Sequence, residues 1–187
     1  MRAKENPIIV PEKKYAWESR STFNPGALYV NDRFHFLYRA MSDDYTSVFG
    51  YASSKDGIHI DERLPDPVYV PRASFEQKLV PGNSGCEDPR LTLIGKKIYM
   101  CYTAFDGKNA PRVALSSIAV KDFLKKKWNW SEPVLLSPPD ISDKDAFIFP
   151  QKVAGNYMIV HRIGDSIDYS FLQNFDIKNN EWIEEYR

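Results

Sequence analysis

FNPGALYVNDRFHFLYRA, residues 23–40, decides the fold. Two runs rich in β-branched and aromatic residues flank Asn31-Asp32, a pair that tolerates the left-handed backbone of a tight turn, so the stretch predicts a β-hairpin. The pattern returns as LTLIGKKIYMCYTA (91–104) around Gly95-Lys96, and as FIFPQKVAGNYMIVHR (147–162) around Gly155-Asn156. A short polar element ending in proline precedes each: FNP, EDP and IFP, at Pro25, Pro89 and Pro150, roughly 60 residues apart. Another β-rich run follows each hairpin: SVFGYASS (47–54), PRVALSS (111–117) and SIDYSFL (166–172). A charged or Trp-bearing segment comes next: DGIHIDERLPDPVYVP (56–71), KKKWNWSEPVLLSPP (125–139) and NNEWIEEYR (179–187). Helical periodicity is nearly absent, and VKDFLKKKW (120–128) is its best candidate.

A unit of about four short strands repeating at this length reads as a propeller blade. A β-sandwich has strands of the same kind but predicts no such repeat, and a solenoid has a shorter period. The expectation is an all-β chain forming one β-propeller domain over residues 1–187, with about three blades at 21–70, 86–136 and 145–187. Three blades do not close a ring, so the chain is expected to be a C-terminally truncated propeller.

Composition narrows the function. The 25 basic and 25 acidic residues balance, so no field of one sign points to nucleic acid or an anionic membrane. Cys86 and Cys101 fall in different expected strands and read as reduced, buried thiols; no Cys/His spacing suggests a metal. MRAKENPIIVPEKKY lacks the apolar run of a signal peptide, and a cytoplasmic location is expected. No phosphate-cradling glycine motif is present, so no nucleotide cofactor is expected.

In a propeller the innermost strands line a central channel, so their starts converge although they are distant in sequence. That gathers Asn24, Glu87, Asp88, Arg90, Lys144 and Asp145 around one axial funnel. GCEDPR (85–90) is the sharpest motif. Strand alternation puts Glu87 and Asp88 on opposite faces, with only one facing the channel. Pro89 biases Asp88 to extended backbone, and Arg90, on the same side, is placed to act on the Asp88 carboxyl. The alternative is an Asp–Arg surface pair at a strand start. Lys144, Arg39, Arg112, His161 and Arg162 read either as structural charges or as a phosphate cradle, since phosphate needs several convergent donors. His161 alone reads more readily as a structural histidine.

FNPGA (23–27), YRA (38–40), ASSKDGI (52–58), GCEDPR (85–90), YTAFDG (102–107), PRVALSS (111–117), KDAFIFP (144–150) and HR (161–162) occur in an order that resembles glycoside hydrolase family 130. This is the family of β-mannoside phosphorylases and related mannosidases. The resemblance implies a five-bladed propeller with an axial site. It implies inverting phosphorolysis of terminal β-mannosides, such as β-1,4-mannooligosaccharides, to α-mannose 1-phosphate. Asp88 would be the general acid, acting through a hydroxyl of the mannose. The phosphate co-substrate is already anionic, so cationic groups replace the second carboxylate of an inverting hydrolase. Lys144, Arg39 and His161, then Arg112 and Arg162, are the expected phosphate ligands. Asn24, Asp56 and Asp145 look like mannose-binding positions, with Glu87 and Arg90 beside them. No cofactor is expected beyond phosphate, and self-association through exposed sheet edges is a further expectation. The alternatives are a β-mannosidase of the same fold and a non-catalytic carbohydrate-binding fragment.

Overall fold

The computed structural model describes residues 4–175. Its strands run in chain order as β1 (Ser21–Val30), β2 (Arg33–Met41), β3 (Thr46–Ser54), β4 (Ile60–Arg63), β5 (Ser84–Ile94), β6 (Lys97–Phe105), β7 (Arg112–Ala119), β8 (Val134–Leu135), β9 (Asp143–Ile148), β10 (Tyr157–Ile163) and β11 (Ser166–Leu172). The helical candidate forms α1, only Val120–Leu124. The first two groups are antiparallel meanders of four strands, β1–β4 and β5–β8, continuous as one eight-stranded sheet; β9–β11 form a separate three-stranded sheet. NNEWIEEYR (179–187) lies outside the described residues.

Two of the three turns form where the sequence places them, and the third sits one residue earlier, at Ala154-Gly155 (φ 50° and 83°) between the bridged Val153 and Asn156 and not at Gly155-Asn156. Asn31 and Asp32 both take positive φ between β1 and β2, as a two-residue hairpin twisting with its strands requires. Gly95 does the same between β5 and β6. In the third unit Pro150 follows β9 instead of preceding it, and Ala146 holds the place that Pro25 and Pro89 occupy in β1 and β5. The third proline therefore marks the hairpin connection, so IFP is not the counterpart of FNP and EDP.

Alternation along each strand sends side chains to two inter-blade layers. Leu37, Phe49 and Tyr51 from the first unit pack against Ile98, Met100 and Tyr102 of the second. Cys101, Val113 and Leu115 of the second pack against Ala146, Ile148 and Ile159 of the third. Full burial of a ring such as Phe49 is worth about 2–3 kcal/mol, so these layers hold the blades face to face. The first two meanders are also joined directly by a short parallel pairing of Thr46 and Ser47 with Ser84 and Gly85. That junction lies beside the inner strands' starts, and Gly85 is required there: its φ is +104°, and a Cβ would collide with the Ser47 backbone.

Candidate active site

The inner strands β1, β5 and β9 share one irregularity. Pairing slips between Phe23 and Gly26, between Glu87 and Arg90, and opposite Val160–Arg162, where β9 contributes Asp145 and Ala146. At each slip one residue is left-handed: Asn24 at φ 46°, Asp88 at 52° and Asp145 at 58°. Asn and Asp adopt this backbone more readily than other non-glycine residues, which accounts for the residue type at all three places. A β-bulge re-aims the side chains beside it. Glu87 and Asp88 consequently do not point to opposite faces, and Asp88 is not extended despite the following proline.

Both carboxylates meet Arg39, which arrives from β2 of the neighbouring unit. Arg39 Nη2 donates to Glu87 Oε1 at 2.7 Å, and Nη1 to Asp88 Oδ1 at 3.2 Å. Asn24 Nδ2 donates to the other Asp88 oxygen at 2.8 Å. Arg39 is itself held: its Nε donates to Ser47 Oγ at 3.0 Å, and its guanidinium lies 4.6 Å from the Phe23 ring centroid. The three charged side chains are largely buried, at 9%, 16% and 14% exposure for Arg39, Glu87 and Asp88. Burial pushes the Glu87 carboxyl above its usual range; Arg39 opposes this, Asp88 adds to it, and Lys144 and Asp145 act in opposite directions from the third unit.

Lys144 and Asp145 come from β9, and the Asp145 amide donates to Thr103 Oγ1, the residue paired with Glu87. Arg162 on β10 binds Asp145, Nε to Oδ2 at 2.9 Å. The structure thus gathers Asn24, Arg39, Glu87, Asp88, Lys144, Asp145 and Arg162 at one end of the inner strands. Among the described residues Lys144 makes no ion pair. Sequence reading passed over three supporting residues: Ser47, Phe23 and Thr103. Thr103 had a visible signal, because YTA (102–104) repeats YRA (38–40).

Four expected site residues are placed otherwise. Asp56 lies at the opposite end of the first unit. It follows Ser54, whose partner Phe34 sits beside the β1–β2 turn, roughly 17 Å along β2 from Arg39. There its carboxylate caps its own turn, accepting the amides of Ile58 and His59 at 2.9 and 2.8 Å. Arg90 does not orient Asp88; its guanidinium donates to the backbone oxygen of Pro89 at 3.0 Å and reaches that of Asn24, tying the two bulges together. His161 is 2% exposed, with Nδ1 3.0 Å from Asp143 Oδ1 and Nε2 3.3 Å from Ser170 Oγ, so it offers no face to the funnel. Arg112 spends Nε and Nη2 on the Ser137 carbonyl. It lines a separate cavity of about 390 Å³ with Asp106, Asn109 and Asp140.

Residues 3–177 match the family model described as β-1,4-mannooligosaccharide phosphorylase. The chain is 33% identical to a β-1,2-mannobiose phosphorylase of Thermoanaerobacter sp. (strain X514), over 86% of this chain and 53% of that protein. It is 34% identical to a 1,2-β-oligomannan phosphorylase of the same organism, over 95% of this chain and 57% of that one. It also superposes on the crystal structure of a glycosyl hydrolase from Bacteroides ovatus with a TM-score of 0.75 and 26% identity, covering 92% of this chain and 55% of that one. The chain spans about half the length of the curated relatives it matches. Its blades are those of a five-bladed β-propeller, and the chain belongs to glycoside hydrolase family 130.

Proposed function

We propose that this chain carries the general acid of an inverting β-mannoside phosphorylase, and that the acid is Asp88. One observation carries the reading: in a member of this family, the Asp88 carboxylate stands at an inner-strand bulge, held by Asn24 and Arg39 in a funnel shared with Lys144. The Asp88 proton passes to the glycosidic oxygen, through a hydroxyl of the mannose, as that oxygen leaves. A phosphate oxygen forms the new bond to the anomeric carbon from the opposite face, giving α-mannose 1-phosphate and a shortened glycan. Lys144 is the first phosphate ligand, because its charge is uncommitted among the described residues. Arg39, with both Nη atoms on carboxylates, reaches phosphate only by exchanging a partner, whereas Arg162 holds Asp145 through Nε and Nη2 and is 38% exposed. Asn24 and Asp145 remain the mannose-binding candidates.

The family description names a β-1,4 linkage and the two relatives β-1,2 linkages. The test therefore offers both mannobioses, with and without phosphate, to wild type and Asp88→Asn. Mannose 1-phosphate formed only with phosphate, and lost in the variant, is the expected result. A second reading, hydrolysis, is favoured by the same charge inventory: four of the five phosphate ligands expected from the sequence already have partners. Mannose release indifferent to phosphate would move the protein to that reading.

A further inference from the structure

On each second strand, the residue that faces the funnel follows one that faces away: Tyr38 before Arg39, Tyr102 before Thr103, His161 before Arg162. All three are at most 2% exposed, and each meets a carboxylate that is 0% exposed. Tyr38 Oη donates to Glu18 Oε2 at 2.9 Å. The Tyr102 hydroxyl donates to Glu76 Oε1. His161 Nδ1 lies 3.0 Å from Asp143 Oδ1. The acids enter from the chain leading into each blade: a 3-10 turn at Ala16–Glu18, another at Ser74–Glu76, and the first residue of β9.

Each acid is fixed by further donors. Arg63 Nη2 reaches Glu18 Oε2 at 2.6 Å. The Tyr69 hydroxyl reaches Glu76 Oε1 at 3.0 Å, and the amides of Arg72 and Ala73 reach its Oε2 at 2.8 and 2.7 Å. Ser137 Oγ reaches Asp143 Oδ2 at 2.7 Å. The pair changes from Tyr–Glu to the shorter His–Asp in the third unit, yet the connection is kept. Both oxygens of Glu76 and Asp143 are satisfied in this way, whereas Glu18 is held through Oε2 alone and its buried Oε1 has no partner; a core that only had to pack would carry apolar groups here. Adjacent residues of a strand face opposite ways, so holding the outer one sets the rotation of the strand and thereby the aim of the inner one.

We infer that Glu18, Glu76 and Asp143 are a repeated set of positioning residues, which aim Arg39, Thr103 and Arg162 into the funnel through Tyr38, Tyr102 and His161. The consequence for catalysis rests on the funnel being the active site; the positioning itself does not. The test is hydrogen exchange of the Arg39 Nε proton, followed by NMR in this chain. Thr92→Val serves as control, because the Thr92 hydroxyl is also buried and donates to the Ile148 carbonyl, away from Arg39. Tyr38→Phe is expected to speed Arg39 exchange by about tenfold, the shift one net hydrogen bond produces, with Thr92→Val leaving it within about twofold. Equal effects of the two variants would overturn the inference. Should Tyr38→Phe not fold, Tyr102→Phe is read at the Asp145 amide, which donates to Thr103 Oγ1. A rise there of about tenfold supports the inference and an unchanged rate overturns it. Neither readout needs turnover, so absence of phosphorolysis would count against the proposed reaction and leave the positioning intact.

Discussion

Asp56 and Asp88 both sit in tight, irregular backbone, and both accept short hydrogen bonds, yet they answer to different parts of the molecule. Every partner found for the Asp56 carboxylate lies within three residues of it: Ser54, the amides of Ile58 and His59, and the His59 ring at 2.7 Å. Its side chain is 52% exposed. The Asp88 carboxylate is 14% exposed and accepts from Asn24 and Arg39, residues 64 and 49 positions away on another blade. A self-contained turn can stand anywhere on the surface. A carboxylate whose donors come from a neighbouring blade exists only when the blades are assembled, which suits a site that must be complete before it acts.

The largest expected contrast is in turnover. Asp88→Asn keeps the shape and removes the transferable proton, and should lower the rate by about a thousandfold, within the usual contribution of a general acid. The assay is product release from mannobiose with saturating phosphate. A loss below about tenfold would pass the role to Glu87, the adjacent carboxyl on the same guanidinium.

The next effect is on stability. Arg39→Met leaves Glu87 and Asp88 facing each other without their shared cation, and should cost about 3 kcal/mol in urea unfolding. Gly26→Ala attacks the same junction through the backbone, because its Cβ would stand 2.5 Å from the Pro89 oxygen. It should cost about 1–3 kcal/mol, whereas glycine to alanine at Gly155, with open space around it but φ of +83°, should cost only the left-handed strain of about 1 kcal/mol.

Glu87 supplies a smaller, pH-dependent effect. Its carboxyl is raised in the folded protein by burial first, with Arg39 opposing. The folded state therefore holds the proton more tightly than the unfolded chain. The resulting stability is fully present below the ordinary carboxylate range and is lost as pH rises through the raised value. Glu87→Gln should flatten that decline in melting temperature across mildly acidic pH. An unchanged slope would mean that Glu87 ionises in the folded protein as freely as in the unfolded chain.

These contrasts also mark how far the sequence could be read. The first two hairpins were legible because their turn chemistry is local: Asn31-Asp32 and Gly95 accept left-handed backbone that other residues resist, while the third turn slipped one residue, to Ala154-Gly155. The funnel was legible through the repeat, since Asn24, Asp88 and Lys144-Asp145 recur ahead of successive hairpins. The aim of individual side chains was not. Pro89 argued for an extended Asp88, but the bulge, shared with β1 and β9, prevailed. His161 and Arg112 were drawn to the site by their charge, although their partners Asp143 and Ser137 lie on segments whose approach no local pattern encodes. Glu18 and Glu76 precede their inner strands by different loop lengths, so no fixed spacing announces them.

Asp56 provides the smallest effect and the sharpest check on the comparison. It follows the third strand of its blade, and in an antiparallel meander that end lies opposite the start of the first strand, where Asn24 stands. Its carboxyl is held below the usual range by the His59 ring first, then by the His59 and Ile58 amides. That stabilisation is present above the unfolded value and is lost as pH falls toward the lowered one. Asp56→Asn should thus lower melting temperature slightly at neutral pH, with the difference shrinking in acid, and leave mannobiose turnover within about twofold, as expected of a surface change remote from the chemistry. A loss of turnover approaching that of Asp88→Asn would put mannose contacts at both ends of the blade, and the inner-strand funnel would then no longer account for the site by itself.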